Sequence, residues 1–226
     1  ETLLLPSTVQ TIDFSIMNET PSIEFAEIPA GATSFDSVFG SQGIRRLAIL
    51  ANKDVDVNSL LKGYARDDLK VIVADGNTAI KNNTKNTGIN FETVEANGST
   101  DDGMIRWIVT KEGSLDIYGI GDLATISTAP WASYASSIKN VYIHEGITGV
   151  GAGLFADVTG AYIELADSIT SLSVNALSGS GNRVRVPVYV KKIEASAFGN
   201  NTTIMGYKNS CAKEYAQANS ITFDER

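Results

Sequence analysis

The sequence predicts an α/β repeat solenoid, in which short parallel strands stack coil upon coil and the returns between them are irregular or short helices. Three observations predict it. In the last ninety or so residues, Val141, Ile163 and Val184 are followed two positions on by Ile143, Leu165 and Val186, then by Ile147, Ile169 and Val190. Val150, Leu172 and Ile193 come next, Phe155, Leu177 and Phe198 close each copy, and every series steps by 22 residues and then by 21. The N-terminal third repeats more loosely, with Leu5, Ile28 and Leu50, Ile12, Phe35 and Val57, and Ile16, Phe39 and Leu61 each stepping by 23 and 22. Finally, Ile72, Asn77, Thr78, Lys81, Ile89 and Phe91 return as Ile204, Asn209, Ser210, Lys213, Ile221 and Phe223 at a constant offset of 132. Self-similarity at this period marks units that cannot bury their own apolar face and must stack on neighbours.

Each element has a local reason. Val141 and Ile143 alternate with Tyr142 and His144, the period of a strand buried on one face. Glu145 and Gly146 then make a turn, and Ile147, Val150, Leu154 and Phe155 point a short helical or irregular return inward. Strand plus return in about 22 residues is one coil of a leucine-rich-repeat type of solenoid. The 132-residue offset predicts two arrays, residues 1–92 and 138–226, each closed by a capping helix at about 78–87 and about 210–219. Asn77 or Thr78 and Asn209 or Ser210 are placed to accept hydrogen bonds from the first free amides of those helices. Gly88, and Asn219 or Ser220, suit a left-handed stop. Between the arrays, residues 93–137 are expected to form an inserted β-hairpin module with its own small apolar patch. There Ile105, Trp107 and Val109 alternate, Lys111–Gly113 turn, and Leu115 and Ile117 alternate again.

Composition narrows the function. The chain has 226 residues, 43% of them apolar, with no run near the 18 or so apolar residues that span a bilayer. Eighteen basic against 26 acidic side chains give a net charge of −8, the wrong sign for nucleic acid or an anionic membrane surface. One cysteine, Cys211, leaves no disulfide framework and no cysteine zinc cluster. The chain starts at Glu1 without a leader, so a removed signal peptide or a start inside a longer protein is expected.

These residues resemble the BspA-like leucine-rich repeats of bacterial secreted and cell-surface proteins, whose units run from a short strand through a turn to Val-Thr-x-Ile and Ala-Phe. Ile147-Thr148-Gly149-Val150 leading to Leu154-Phe155, and Val190-Lys191-Lys192-Ile193 leading to Ala197-Phe198, are similar to that pattern, and Val9-Gln10-Thr11-Ile12 resembles it in the first array. The run from Trp107 through Gly119, Gly121 and Ala129-Pro130-Trp131 resembles the lead-in hairpin of such arrays, and Gly206-Tyr207-Lys208-Asn209-Ser210 through Phe223 their C-terminal cap. Leu123 and Cys211 depart from the pattern, where Met and Ala are commoner. The resemblance implies a right-handed superhelix, a secreted or surface location, and adhesion to an extracellular protein or glycan by a monomer without enzymatic activity.

Candidate chemistry is sparse, and neither a catalytic, a metal nor a cofactor site is expected. His144 is the only histidine and, without a carboxylate or cysteine at ligand spacing, reads as an exposed turn residue. Asp101, Asp102, Glu112 and Asp116 admit a paired-carboxylate reading, against which stands their place on the rims of a hairpin. Gly119 and Gly121 lack the Lys of a phosphate loop. Cys211 could be activated at a helix N-terminus or simply pack in the cap. The candidate binding face is the outward row Tyr142, Glu164 and Arg185, which parallel stacking would align about 4.8 Å apart. A passive spacer, or the substrate-binding accessory of an extracellular enzyme, are the rival readings.

Overall fold

In the computed structural model, residues 1–13, 23–36, 43–51, 69–77 and 90–226 are described. They divide into two compact units, residues 1–95 with 110–112, and residues 96–109 with 113–226. Each is a stack of short, mostly parallel strands.

The first unit contains β1 (Thr2–Leu3), β2 (Thr11–Asp13), β3 (Phe25–Ile28), β4 (Ser34–Asp36), β5 (Arg46–Ile49), β6 (Lys70–Val73) and the start of β7 (Asn90–Ser99). Its main sheet runs β1-β3-β5-β6-β7 in parallel pairs. A smaller parallel pair, β2 with β4, sets Ile12 opposite Phe35, as the 23-residue step requires. Ile16, Phe39, Val57, Leu61 and the capping helix expected at 78–87 lie outside the described residues.

One step of the spacing series needs correction. Ile28 pairs with Ile49, not Leu50, and Ile49 is fully buried while Leu50 is only partly covered. A slip of one residue exchanges the two faces of a strand, and adjacent Ile and Leu side chains offer the sequence no way to choose between them. The half-buried strand is also replaced here: every residue of β3 and β5 is buried, as in parallel sheets covered on both sides. Arg46 is held inside by Glu92 at 2.9 Å, and the Thr110 hydroxyl donates to the same carboxylate at 3.2 Å.

The second unit continues with β8 (Ile105–Thr110, its last residue counted in the first unit), β9 (Ser114–Gly119), β10 (Asn140–Ile143), β11 (Gly149–Val150), β12 (Tyr162–Leu165), β13 (Ser171–Leu172), β14 (Arg183–Arg185), β15 (Lys192–Ile193), β16 (Thr203–Gly206), the helix α1 (Cys211–Ala218) and β17 (Thr222–Glu225). The expected pairings form throughout. Val141 lies opposite Ile163 and Ile163 opposite Val184, Val150 opposite Leu172 and Leu172 opposite Ile193, and Leu177 bridges Phe198. These inward rows are almost wholly buried and merge into one core.

Two expectations are revised. The α/β label gives way to a mostly parallel β-solenoid, because the returns carry a second sheet, β11-β13-β15, and α1 is the one α-helix among the described residues. A helix of one or two turns is marginal by itself, whereas two-residue strands gain partners from the coils on either side. The hairpin does form, with Trp107 opposite Ile117 and Val109 opposite Leu115. It has no separate patch, however: β9 pairs in parallel with β10, and Ile105, Val109, Leu115, Ile117 and Trp131 belong to the same core as Val141. Trp131 stacks on Phe155 at 5.3 Å and donates its indole N–H to the Leu154 carbonyl. At the far end, Ser210 caps α1 by accepting from the Lys213 amide, and Ser220 makes the left-handed stop at φ 55°.

A fully buried asparagine ties two successive coils together. The Asn182 side chain accepts from the Ala161 amide and donates to the carbonyls of Val158 and Gly179, all at 2.9–3.0 Å. Thr202 occupies the equivalent position one coil later, just before β16, and its buried hydroxyl has no partner. Asn182→Ala is expected to cost about 2–4 kcal/mol, since three backbone groups lose their partner, while Thr202→Val is neutral or stabilising. Urea unfolding of the two variants checks the contrast, and equal losses would contradict it.

Candidate functional site

The outward row of the second unit is built by register alone. Asp116 pairs with Tyr142, Tyr142 with Glu164, Glu164 with Arg185, Arg185 with Met205, and Met205 with Asp224. Tyr142, Glu164 and Arg185 thus stand side by side as the spacing predicts, each alternating with inward residues that are buried. Glu164 and Arg185 meet at 2.9 Å with about a quarter of each side chain exposed, 28% and 25%.

A second outward row, Asn140, Tyr162, Arg183 and Thr203, flanks the first. Tyr162 donates its hydroxyl to the second Glu164 oxygen at 3.2 Å. Burial, and then the negative charge and hydrogen bond of Glu164, push the Tyr162 phenol above its usual range. Arg183 lies 3.8 Å from Asp224 and 3.6 Å from the Met205 sulfur. The face is therefore a mesh of paired charges and phenols on a rigid sheet.

His144 needs correction. It is a turn residue in sequence but not an exposed one: its side chain is 11% exposed, its Nε2 lies 2.8 Å from Asp116, and its ring stacks on Tyr142 at 6.5 Å. The carboxylate comes from 28 residues earlier and reaches it because β9 and β10 pair in parallel, a relation no local spacing reveals. Asp116 itself is fully buried. Of the other carboxylates, Asp102 and Glu112 have local duties, while Asp101 is exposed. Asp102 accepts from the Thr100 hydroxyl and the Met104 amide, which hold its carboxyl below the usual range, and Glu112 accepts from the Thr93 amide. Gly119 and Gly121 have φ of 122° and 147°, which glycine alone adopts freely, and a Cβ on Gly119 would also collide with the Met104 carbonyl. The Cys211 thiol is pushed up by burial and by Glu214, which opposes activation at the helix N-terminus.

Among the described residues, no group of three or more His, Cys, Asp or Glu side chains could hold a metal ion, and no helix is long and apolar enough to cross a membrane.

No family model matches the sequence, and no curated protein matches it. The structure is similar to that of a leucine-rich repeat protein from Eubacterium ventriosum, with 18% identity and a TM-score of 0.34. The likeness covers 50% of this chain and 45% of that one.

Two measurements test the geometry of the face. Replacing Glu164 by Gln removes the charge next to Tyr162, so phenolate absorbance should show one tyrosine ionising at lower pH than before, though still above the ordinary value because burial remains. Its raised folded-state value also means that Tyr162 withdraws stability only above about pH 10, where the unfolded chain ionises first. His144→Ala removes one partner of a buried carboxylate and should lower stability by about 1–3 kcal/mol. An unchanged urea midpoint would show that the contact contributes nothing.

Proposed function

We propose that this chain is a non-enzymatic binding module of a bacterial secreted or cell-surface protein, of the BspA-like leucine-rich-repeat kind, that recognises an extracellular protein or glycan through its outward strand face. The observation that carries the reading is the row Tyr142–Glu164–Arg185. It places an aromatic ring, a carboxylate and a guanidinium at adjacent strand spacings on a backbone whose opposite side chains are fixed in the core. Little ordering is needed when a partner docks on such a surface, which is how preorganised faces gain affinity. Tyrosine and arginine are also the residues that most often dominate recognition energetics. Repeat solenoids use extended faces of this kind for binding. The sequence motifs quoted above support the family reading and, through it, the extracellular location.

The test is retention of the chain on immobilised matrix proteins and mucin, compared with Tyr142→Ala and Arg185→Glu variants of unchanged thermal stability. Specific retention that falls about tenfold or more in either variant is the expected result. Retention by none of these surfaces would instead favour a spacer, and equal retention of all three proteins would rule out the strand face as the site.

A further inference from the structure

The geometry points to a second binding site, for an uncharged carbohydrate, in a groove of about 510 Å³ between the last return turns and the C-terminal cap. This lies within the range of small-molecule sites, roughly 300–1,000 Å³. It rests on the reading of the chain as a binding module but uses none of the residues of the strand face.

The lining chemistry selects the ligand class. Although 19% of the chain is charged, among the described residues no Asp, Glu, Lys or Arg lines the groove. Its polar wall is amide and hydroxyl, supplied chiefly by Asn175, Ser196, Asn200, Asn201, Asn219 and Ser220, all of them exposed. Each amide both donates and accepts, and each hydroxyl does the same, which matches the vicinal hydroxyls of a sugar. An anion or a cation would enter without a counter-charge and lose its hydration uncompensated. Phe198 and Tyr215 supply the apolar side, with ring centroids 5.6 Å apart and planes at 55°. The Tyr215 hydroxyl accepts from the Ala197 amide at 3.2 Å, so that ring is held in place. The half-buried Tyr215 ring, backed by the buried Phe198 and set beside these amides and hydroxyls, forms an amphipathic surface of the kind a pyranose, with one apolar and one hydroxylated side, can use.

The backbone offers an independent pointer. Among the described residues, the non-glycine residues with positive φ are Asn175, Ser196, Asn201 and Ser220, at 54–57°, and all four line this groove. One coil earlier the same turn uses Gly153 before Leu154-Phe155, where Asn175 and Ser196 stand before Ala176-Leu177 and Ala197-Phe198. Gly160 and Gly181 likewise precede β12 and β14 at the place Asn201 takes before β16. Glycine satisfies these turns at no steric cost. Where the groove lies, the same left-handed turns carry asparagine or serine instead of glycine, so amides and hydroxyls line a surface that glycine would leave bare.

The experiment applies the full chain to a printed array of uncharged oligosaccharides with sialylated and sulfated counterparts, and to an unstructured neutral peptide. Titration with the best uncharged oligosaccharide follows. The double variant Asn175→Gly/Asn201→Gly keeps both left-handed turns and removes both amides, so it should melt no lower than the parent yet bind about fivefold or more weakly. Asn200→Ala, which touches no left-handed turn, should also weaken binding, and decides the matter if the double variant is unstable. Arg185→Glu should bind the sugar unchanged, even if it abolishes retention on matrix proteins, so the two sites can fail separately. No uncharged glycan bound at about 10 mM, preference for charged glycans or the peptide, or parental affinity in the groove variants would overturn the assignment.

Discussion

Stacking in register is the constraint on which the rest depends. In the second unit, Val141, Ile163 and Val184 occupy one inward row and Val150, Leu172 and Ile193 another, so each coil meets the next through chemically equivalent side chains. A single coil has too few apolar residues to enclose anything. Adjacent coils supply the missing walls, and main-chain hydrogen bonds pair along the same rows. Because side chains alternate along each strand, fixing the inward rows also fixes the outward ones. Tyr142, Glu164 and Arg185 are aligned by the burial of residues they do not touch.

Polar groups inside the stack are handled by specific pairing. Asn182 satisfies three backbone groups at a turn that the stack has taken out of water, and Glu92 accepts from both Arg46 and Thr110 in the first unit. Asp116 and His144 form another such pair beneath the rim of the candidate face. Unpaired, each of these groups would be a large destabilising term, so their geometry is as much a part of the fold as the apolar rows. Of the carboxylates that looked available in sequence, Asp102 and Glu112 accept from backbone amides and Asp116 meets a partner in the core.

The two candidate surfaces differ in chemistry for the same structural reason. Strand positions tolerate long side chains, so the outward row collects charges and phenols that pair across neighbouring coils. Turn positions must accommodate left-handed backbone, which restricts them to glycine, asparagine and a few small polar residues. A groove lined by turns is therefore neutral and rich in hydrogen-bonding groups, while a face made of strands is charged.

Periodicity alone was enough to place β10, β12 and β14 of the second unit, their parallel sense and their register, since equivalent Val, Ile and Leu residues recur every 21 or 22 positions and must share a core. It also placed the cap, through Ser210 and Ser220, and the outward row. It could not choose between Ile49 and Leu50, which differ in which face they present but not in apolar character. The composition of the returns did not reveal their second sheet, because two-residue strands exist only through partners a full coil away. Nor could local spacing bring Asp116 to His144, or gather Asn175, Asn201 and Asn219 around one groove. In the second unit the sequence by itself determined which residues face inward, because burial is written residue by residue in its periodicity; which polar groups meet was decided only in three dimensions, because those meetings depend on how distant coils come to lie side by side.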